Sequence, residues 1–215
     1  MNFHQAKNIF EHTLNSEARV QKKINNGLLA LIDKHLIEEV SQLIRGAIYG
    51  GQRVWMTSDL HFGHSNIIGY CGRPFHDDRH QTDVLLQLMR KIPDDELLVI
   101  VGDVCMGNYQ AGVEIVKQLP GRKILVAGNH DLTKEGKCRL ADEGIFEAVV
   151  PFLFWQGMKD TSVLVSHYPV AEYFPMPVAK LINYHGHLHQ WVKESTDAVK
   201  FINVGWDRTH SLLCL

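Results

Sequence analysis

No apolar run in this 215-residue chain approaches the ~20 residues that a membrane-spanning helix needs. The first twenty residues, MNFHQAKNIFEHTLNSEARV, are polar and lack an apolar core segment, so no secretory signal is expected. Cysteine is scarce and scattered: Cys71, Cys105, Cys138 and Cys214 form no C-x-x-C pair. That spacing argues against a zinc ribbon or a disulfide frame and fits reduced thiols in a cytoplasmic protein. An excess of one charge is missing too. Lys and Arg number 22 and Asp and Glu 24, a formal net charge of -2. A near-neutral chain excludes a broad electrostatic grip on nucleic acid or on an anionic membrane, but not a small local contact. What the chain has in quantity is histidine, 13 residues. Histidine is a common metal ligand and the natural proton carrier near neutral pH.

Hydrophobic residues at 45% and charged residues at 21% describe a globular chain of one domain with a modest appendage. The appendage is an N-terminal helical extension, residues 1–50. A short helix is expected around residues 3 to 14. Apolar positions from Val20 to Ala47 recur every three or four residues, which predicts an amphipathic helix over 17–47, with Asn25-Asn26-Gly27 as the point of a kink or split. The helices either pack on the main domain or serve as a homo-oligomer contact or a partial lid. From Arg53 the rhythm changes to short apolar runs: Val54–Thr57, Leu97–Val101, Lys123–Ala127, Val149–Phe154, Ser162–Val165, Leu181–Tyr184 and Phe201–Val204. They read as buried strands, with helical patterns over Asp83–Lys91, Ala111–Gln118 and Lys134–Glu143 between them. The result is an α/β domain over residues 51–215, its sheet not purely parallel because the later strands follow one another with little helix.

Polar clusters follow five of these strands: Ser58-Asp59-Leu60-His61, Gly102-Asp103, Gly128-Asn129-His130-Asp131, Ser166-His167 and His185-Gly186-His187-Leu188-His189. Taken singly, most read first as turns or a satisfied histidine; His187-x-His189 is the strongest signal, because two nearby imidazoles can chelate. Ligands gather at the carboxyl ends of strands in open α/β sheets, so the five segments are expected to converge. Two carboxylates, one amide oxygen and at least four imidazoles make a mixed O/N donor set that suits first-row divalent ions, and its size suits two of them. His185 is expected to be structural, since alternation turns it away from His187 and His189.

In this order, D-x-H, G-D, G-N-H-D, a lone H after a strand and G-H-x-H resemble the signature of the calcineurin-like metallophosphoesterase superfamily, over about Trp55 to Asp207. The stretch Asp59 to Ile68 looks like a small bacterial and phage subgroup. The resemblance implies a sandwich of two mixed β-sheets flanked by helices. It implies that Asp59, His61 and His189 hold one ion, that Asn129, His167 and His187 hold the other, and that Asp103 bridges them. Manganese is the first choice, with Fe, Zn, Ni or Co also compatible. It further implies in-line attack by a bridging hydroxide, with His130 as general acid and Asp131 orienting its ring.

The departures narrow the substrate. No arginine follows Gly102-Asp103, and the third motif ends in Asp131 rather than Glu, unlike the protein phosphatases of the superfamily. The expected substrate is a small or nucleotide phosphodiester. A phosphomonoesterase or nucleotide pyrophosphohydrolase at the same site is the alternative, and a non-catalytic scaffold a further one. His64, Asn66 and Arg73 are candidate substrate contacts, Arg73 as a phosphate clamp. Tyr168 is read as core, and Asn203 to Asp207 as a segment closing one side of the site.

Overall fold

The short apolar runs do become strands, because β-branched and aromatic residues fit a pleated surface covered on both faces. In chain order they are β1 (Val54–Thr57), β2 (Leu97–Ile100), β3 (Arg122–Val126), β4 (Ala148–Val150), β5 (Phe152–Gln156), β6 (Thr161–Ser166), β7 (Lys180–His185), β8 (Val199–Asn203) and β9 (Leu213–Cys214). The computed structural model describes residues 1–16, 22–171 and 179–215. The strands form two sheets, β4-β3-β2-β1-β9 and β5-β6-β7-β8. In the first, β1 to β4 are parallel and β9 pairs antiparallel with β1. In the second, β6 to β8 are parallel and β5 runs against β6. Both sheets are therefore mixed, as expected, and they share one apolar cluster with the helices.

The helices are α1 (Phe3–Ser16), α2 (Lys22–Ala30), α3 (Lys34–Tyr49), α4 (Ser65–Cys71), α5 (Asp78–Met89), α6 (Tyr109–Val116) and a short α7 (Trp206–Thr209). Among the described residues α1 starts at Asn2, whose side chain accepts from the Gln5 amide, and three further helices start in the same way. Asp33 accepts from the Leu36 amide, Asp77 from His80 and Asn108 from Ala111.

Three sequence expectations need correction. The helix expected over 17–47 is interrupted between α2 and α3, where the Asp33 carboxylate captures an amide and starts a new helix; residues 17–21 lie outside the described set. The break is not at Asn25-Asn26-Gly27. Gly27 sits inside α2, where a Cβ would collide with the Gly136 carbonyl and Leu132. It is there for close approach. The run Val149–Phe154 is not one strand. It divides at Pro151 into β4 and β5, which lie in different sheets, since proline has no amide to donate to a ladder. The helix expected over Lys134–Glu143 is only a 3-10 turn at Arg139–Asp142.

The N-terminal helices are joined to the second sheet. Phe10 meets Phe152 at 5.0 Å between ring centroids, and Phe3 meets Phe152 and Phe154 at 6.2 and 6.3 Å. β5 is an edge strand, and α3 covers it: the Phe154 amide donates to Ser41 Oγ at 3.0 Å, and the Gln156 carbonyl accepts from Arg45 Nε and Tyr49 OH. An edge dressed in this way is closed to further strand pairing.

Candidate metal centre

The five polar clusters do converge, each just past the carboxyl end of its strand: Asp59 and His61 after β1, Asp103 after β2, Asn129 after β3, His167 after β6, His187 and His189 after β7. Backbone bonds interlock the loops. The Asp59 amide donates to the Gly102 carbonyl, the His61 amide to Asp103, and the Phe62 amide to Val104, at 3.0 to 3.1 Å. The His187 amide donates to the Asp59 carboxylate at 3.1 Å, and the His130 amide to Asp103 Oδ1 at 2.8 Å. A Cβ on Gly186 would collide with Ser58 Oγ and Asp59 Oδ2, so only glycine lets the β7 loop close on the β1 loop. Asp59, His61, Asp103, His187 and His189 all take left-handed φ, between 51 and 65°. Such backbone costs of order 1–3 kcal/mol per residue and persists where surrounding bonds over-determine it.

The imidazoles fall into two pairs. His61 and His189 stack at 5.2 Å, and His167 and His187 meet edge-on at 5.3 Å. Asp103 Oδ2 lies 3.6 Å from His61 Nε2 and 3.4 Å from His167 Nε2, and so stands between them. Asp59, His61 and His189 each offer an atom within 4.8 Å of the others, and so do Asp59, Asp103 and His167.

The donor atoms fit a metal by a separate test. Both His61 ring nitrogens, His167 Nε2 and Asn129 Oδ1 are buried without a hydrogen-bond partner. Buried polar atoms are ordinarily satisfied, so unpartnered lone-pair donors gathered at one place fit a set of metal ligands. The Val101 carbonyl receives His167 Nδ1–H at 2.8 Å, which turns Nε2 to the Asp103 side. His189 Nδ1 likewise faces Asp207 Oδ2 at 2.7 Å.

Charge in the centre follows from burial and pairing. Burial drives His61 and His187 down to about 3, so both are neutral and free to ligate at physiological pH. At His167 burial acts the same way but is outweighed by Asp103 and Asp59, which lift it to about 9. Burial raises Asp59, whereas at Asp103 it is overcome by the facing His167, which holds that carboxyl well below its ordinary value.

Two residues do not do what the sequence suggested. Arg73 is no phosphate clamp. It is buried, and its guanidinium is spent on Asp207 (2.7 and 2.8 Å), on the Leu60 carbonyl, on Gln81 and on the Asp59 carbonyl. Its place is behind the centre. Asp131 does not address the His130 ring. Its carboxylate accepts from the amides of Asp103, Val104 and Gly128 at 2.8 to 3.0 Å and so clamps the β2 and β3 loops together. Burial and the nearby Asp103 push it up to about 6.

The other candidates sit as follows. His130 is exposed, with its ring 5.4 Å from that of His61. His64 and Asn66 line a cavity of about 580 Å³ together with His61, His130 and His189. Tyr168 is core, as expected, and packs on His187. His185 is buried against Phe201. Sequence reasoning missed Cys71, which groups with His189 and Asp207, and it saw Asp207 only as part of a closing segment. The carboxylate two residues past Gly205, after β8, was the available signal.

Comparison with known proteins agrees. The family model for calcineurin-like phosphoesterases matches residues 52–211. Protein MJ1445 of Methanocaldococcus jannaschii is 30% identical over 83 residues, 37% of this chain and 47% of that protein, so the chain spans about half its length. The gene 66 protein of Mycobacterium phage D29 is 28% identical over 184 residues, covering 74% of this chain and 90% of the phage protein. The crystal structure of AQ665 from Aquifex aeolicus, a protein of unknown function, superposes with a TM-score of 0.55 at 25% identity over 75% of this chain and 95% of AQ665. The match over residues 52–211 is most of the chain, and with it the chain belongs to the calcineurin-like phosphoesterase family, metal-dependent hydrolases of phosphoric esters.

Proposed function

We propose that this protein is a dinuclear phosphodiesterase acting on a small or nucleotide phosphodiester. The observation that carries the reading is the Asp103 carboxylate standing between two imidazole pairs, His61–His189 and His167–His187. Asp59, His61 and His189 would hold one ion and Asn129, His167 and His187 the other, with Asp103 within reach of both sets. When bound, two divalent ions, Mn²⁺ first among Mn, Fe, Zn, Ni and Co, supply charge neutralisation at the phosphate and an activated water.

The chain's own groups do the rest. His130 stands at the mouth of the centre, lining the cavity with His61 and His189, and there it donates a proton to the leaving alkoxide as general acid. Its backbone is anchored by the His130 amide, which donates to Asp103 Oδ1. His64 and Asn66 contact the ester groups from the same cavity. Four free thiols support a cytoplasmic setting. Among the described residues no helix is long and apolar enough to cross a membrane.

The test is hydrolysis of bis(p-nitrophenyl) phosphate beside p-nitrophenyl phosphate, on chelated protein re-supplied with Mn²⁺, with bound metal counted by mass spectrometry. Two ions per chain and chelator-sensitive diester turnover are expected. Monoester turnover alone would move the reading to a phosphatase. Two bound ions without turnover of either ester would point to a selective pocket or a scaffold.

A further inference from the structure

The cavity that opens from the metal centre has two aromatic residues on its wall that nothing covers. Tyr70 is 72% exposed and Trp191 is 71% exposed, and both line the same space as His61, His130 and His189. The other three tryptophans, Trp55, Trp155 and Trp206, are all less than a tenth exposed. Apolar side chains scattered singly on a surface need no explanation. Two large rings on one cavity of about 580 Å³, within the range of small-molecule sites, do.

Neither ring is on a loose segment. Tyr70 projects from α4, and the His64 ring meets it edge-on at 6.2 Å, while His64 in turn lies 5.4 Å from His61. Tyr70 is thus two ring contacts from a proposed ligand. Trp191 follows His189 by two residues. Its amide donates to the Leu188 carbonyl at 2.8 Å, and the Asn203 side-chain amide donates to the carbonyls of His189 and Trp191 at 2.9 and 3.2 Å. The backbone that presents the indole is pinned to the loop that carries His189, with the ring itself left bare.

We propose that Tyr70 and Trp191 are stacking walls for the base of a nucleotide phosphodiester whose phosphorus lies at the metal centre. This rests on the diesterase reading above. A planar heteroaromatic ring is the chemistry that two bare aromatic faces accept, since stacking of a base on such a face is favourable for every base. The near-neutral charge of the chain suits one or two nucleotides and not a long polyanion. The selection that stacking supplies is for a planar ring and not for one particular base, because every base has a face to stack.

Two p-nitrophenyl diesters with the same leaving group test this: thymidine 5′-(p-nitrophenyl phosphate) and methyl p-nitrophenyl phosphate. With Mn²⁺-loaded protein, kcat/KM is expected to favour the thymidine ester. Tyr70→Ala and Trp191→Ala should each cut that preference roughly tenfold, mostly through KM, and Tyr70→Phe and Trp191→Phe should retain most of it. A second readout needs no turnover. Trp191 is the bare tryptophan, so acrylamide quenching reports on it, and thymidine 5′-phosphate should shield it where inorganic phosphate does not. An unchanged preference in both alanine variants, or unshielded Trp191 at saturating nucleotide, overturns the proposal. Trp191 already shielded in nucleotide-free protein that sediments as a dimer also overturns it, by assigning the face to a second copy. Failure of both diesters removes the diesterase reading, while the quenching result still decides the stacking.

Discussion

His189 and Asp207 face each other at 2.7 Å, Nδ1 to Oδ2, and the same Asp207 carboxylate receives a two-point grip from the buried Arg73. Arg73 also binds the carbonyls of Asp59 and Leu60. One chain of polar contacts thus ties the first loop of the centre to the last, with Asp207 fixing which nitrogen of His189 points inward. Burial opposes protonation of His189, but the Asp207 bond lifts it to about 10, and Asp207 falls to about 2.

Asp207→Asn should therefore weaken metal binding 10–100-fold, the usual cost of losing an outer carboxylate behind a ligating histidine. It should also lower stability by about 3–5 kcal/mol, because Arg73 is left buried and unpaired. Calorimetric titration with Mn²⁺ and the melting temperature of the metal-free protein separate the two effects. Retained affinity would mean that His189 is oriented by something else, Cys71 being the neighbour to test.

His130→Ala should behave differently. The ring is exposed, so stability should change little, and bound metal should stay at the wild-type count. Diester kcat should fall by about 10²–10⁴, the range of general acid catalysis, and by less for an ester with a highly acidic leaving group. Loss of metal in this variant would convert His130 from acid to ligand.

Asp131→Asn removes a carboxylate from three backbone amides at once. Hydrogen bonds to a charged group are worth about 1.5–3 kcal/mol each, and the new side-chain amide turns a donor toward donors. A stability loss of several kcal/mol is expected. If the role is to clamp loops, the alkaline limb of the pH–rate profile, set by the general acid, keeps its position even as kcat falls; a displaced limb would restore the pairing of Asp131 with the His130 ring.

Stability of the metal-free protein should fall as pH drops from about 6.5 toward 4. Burial depresses His61 and His187 to about 3, His185 to about 4, and lowers His64 as well. Their depressed folded values contribute stability above the unfolded value near 6.5, lost as pH falls toward the folded values, because the unfolded chain takes up protons that the folded one refuses. Asp131, raised to about 6, and Asp59, also raised, act in the opposite sense, but they are two against four. His167 and His189, raised to about 9 and 10, hold their full contribution throughout this window. Melting scans at pH 7 and 5 in chelator check the sign; a higher melting temperature at pH 5 would refute it.

The N-terminal helices should be inseparable from the rest. Phe10→Ala should cost about 3–5 kcal/mol, since the ring is buried against Phe152. Removing residues 1–50 should expose Phe152, Phe154 and the β5 edge and give an aggregating chain, as gel filtration would show. A monodisperse, folded 51–215 fragment would make the segment a true appendage.

Much of the centre was legible because the signal is local. A short apolar run followed by a polar cluster marks a strand end, and strand ends on one side of parallel strands converge; Asp59, Asp103, Asn129, His167 and His187 follow from that alone. Local signals also misled. Val149–Phe154 is continuous in hydrophobicity, yet Pro151 sends its halves to different sheets. Asn25-Asn26-Gly27 looks like a break, yet Gly27 is there so that Gly136 can approach.

The sequence by itself determined the donor types, their order and the strands that carry them, because those depend on neighbours a few residues apart. Only the tertiary structure decided which side chains face the centre and which stand behind it. Arg73 and Asp207 lie 134 positions apart and meet because the β1 loop and the segment after β8 are brought together by packing. Tyr70 and Trp191 share one cavity for the same reason. No periodicity encodes such pairs: they are fixed by sheet order and by the burial of a charge that must find its partner.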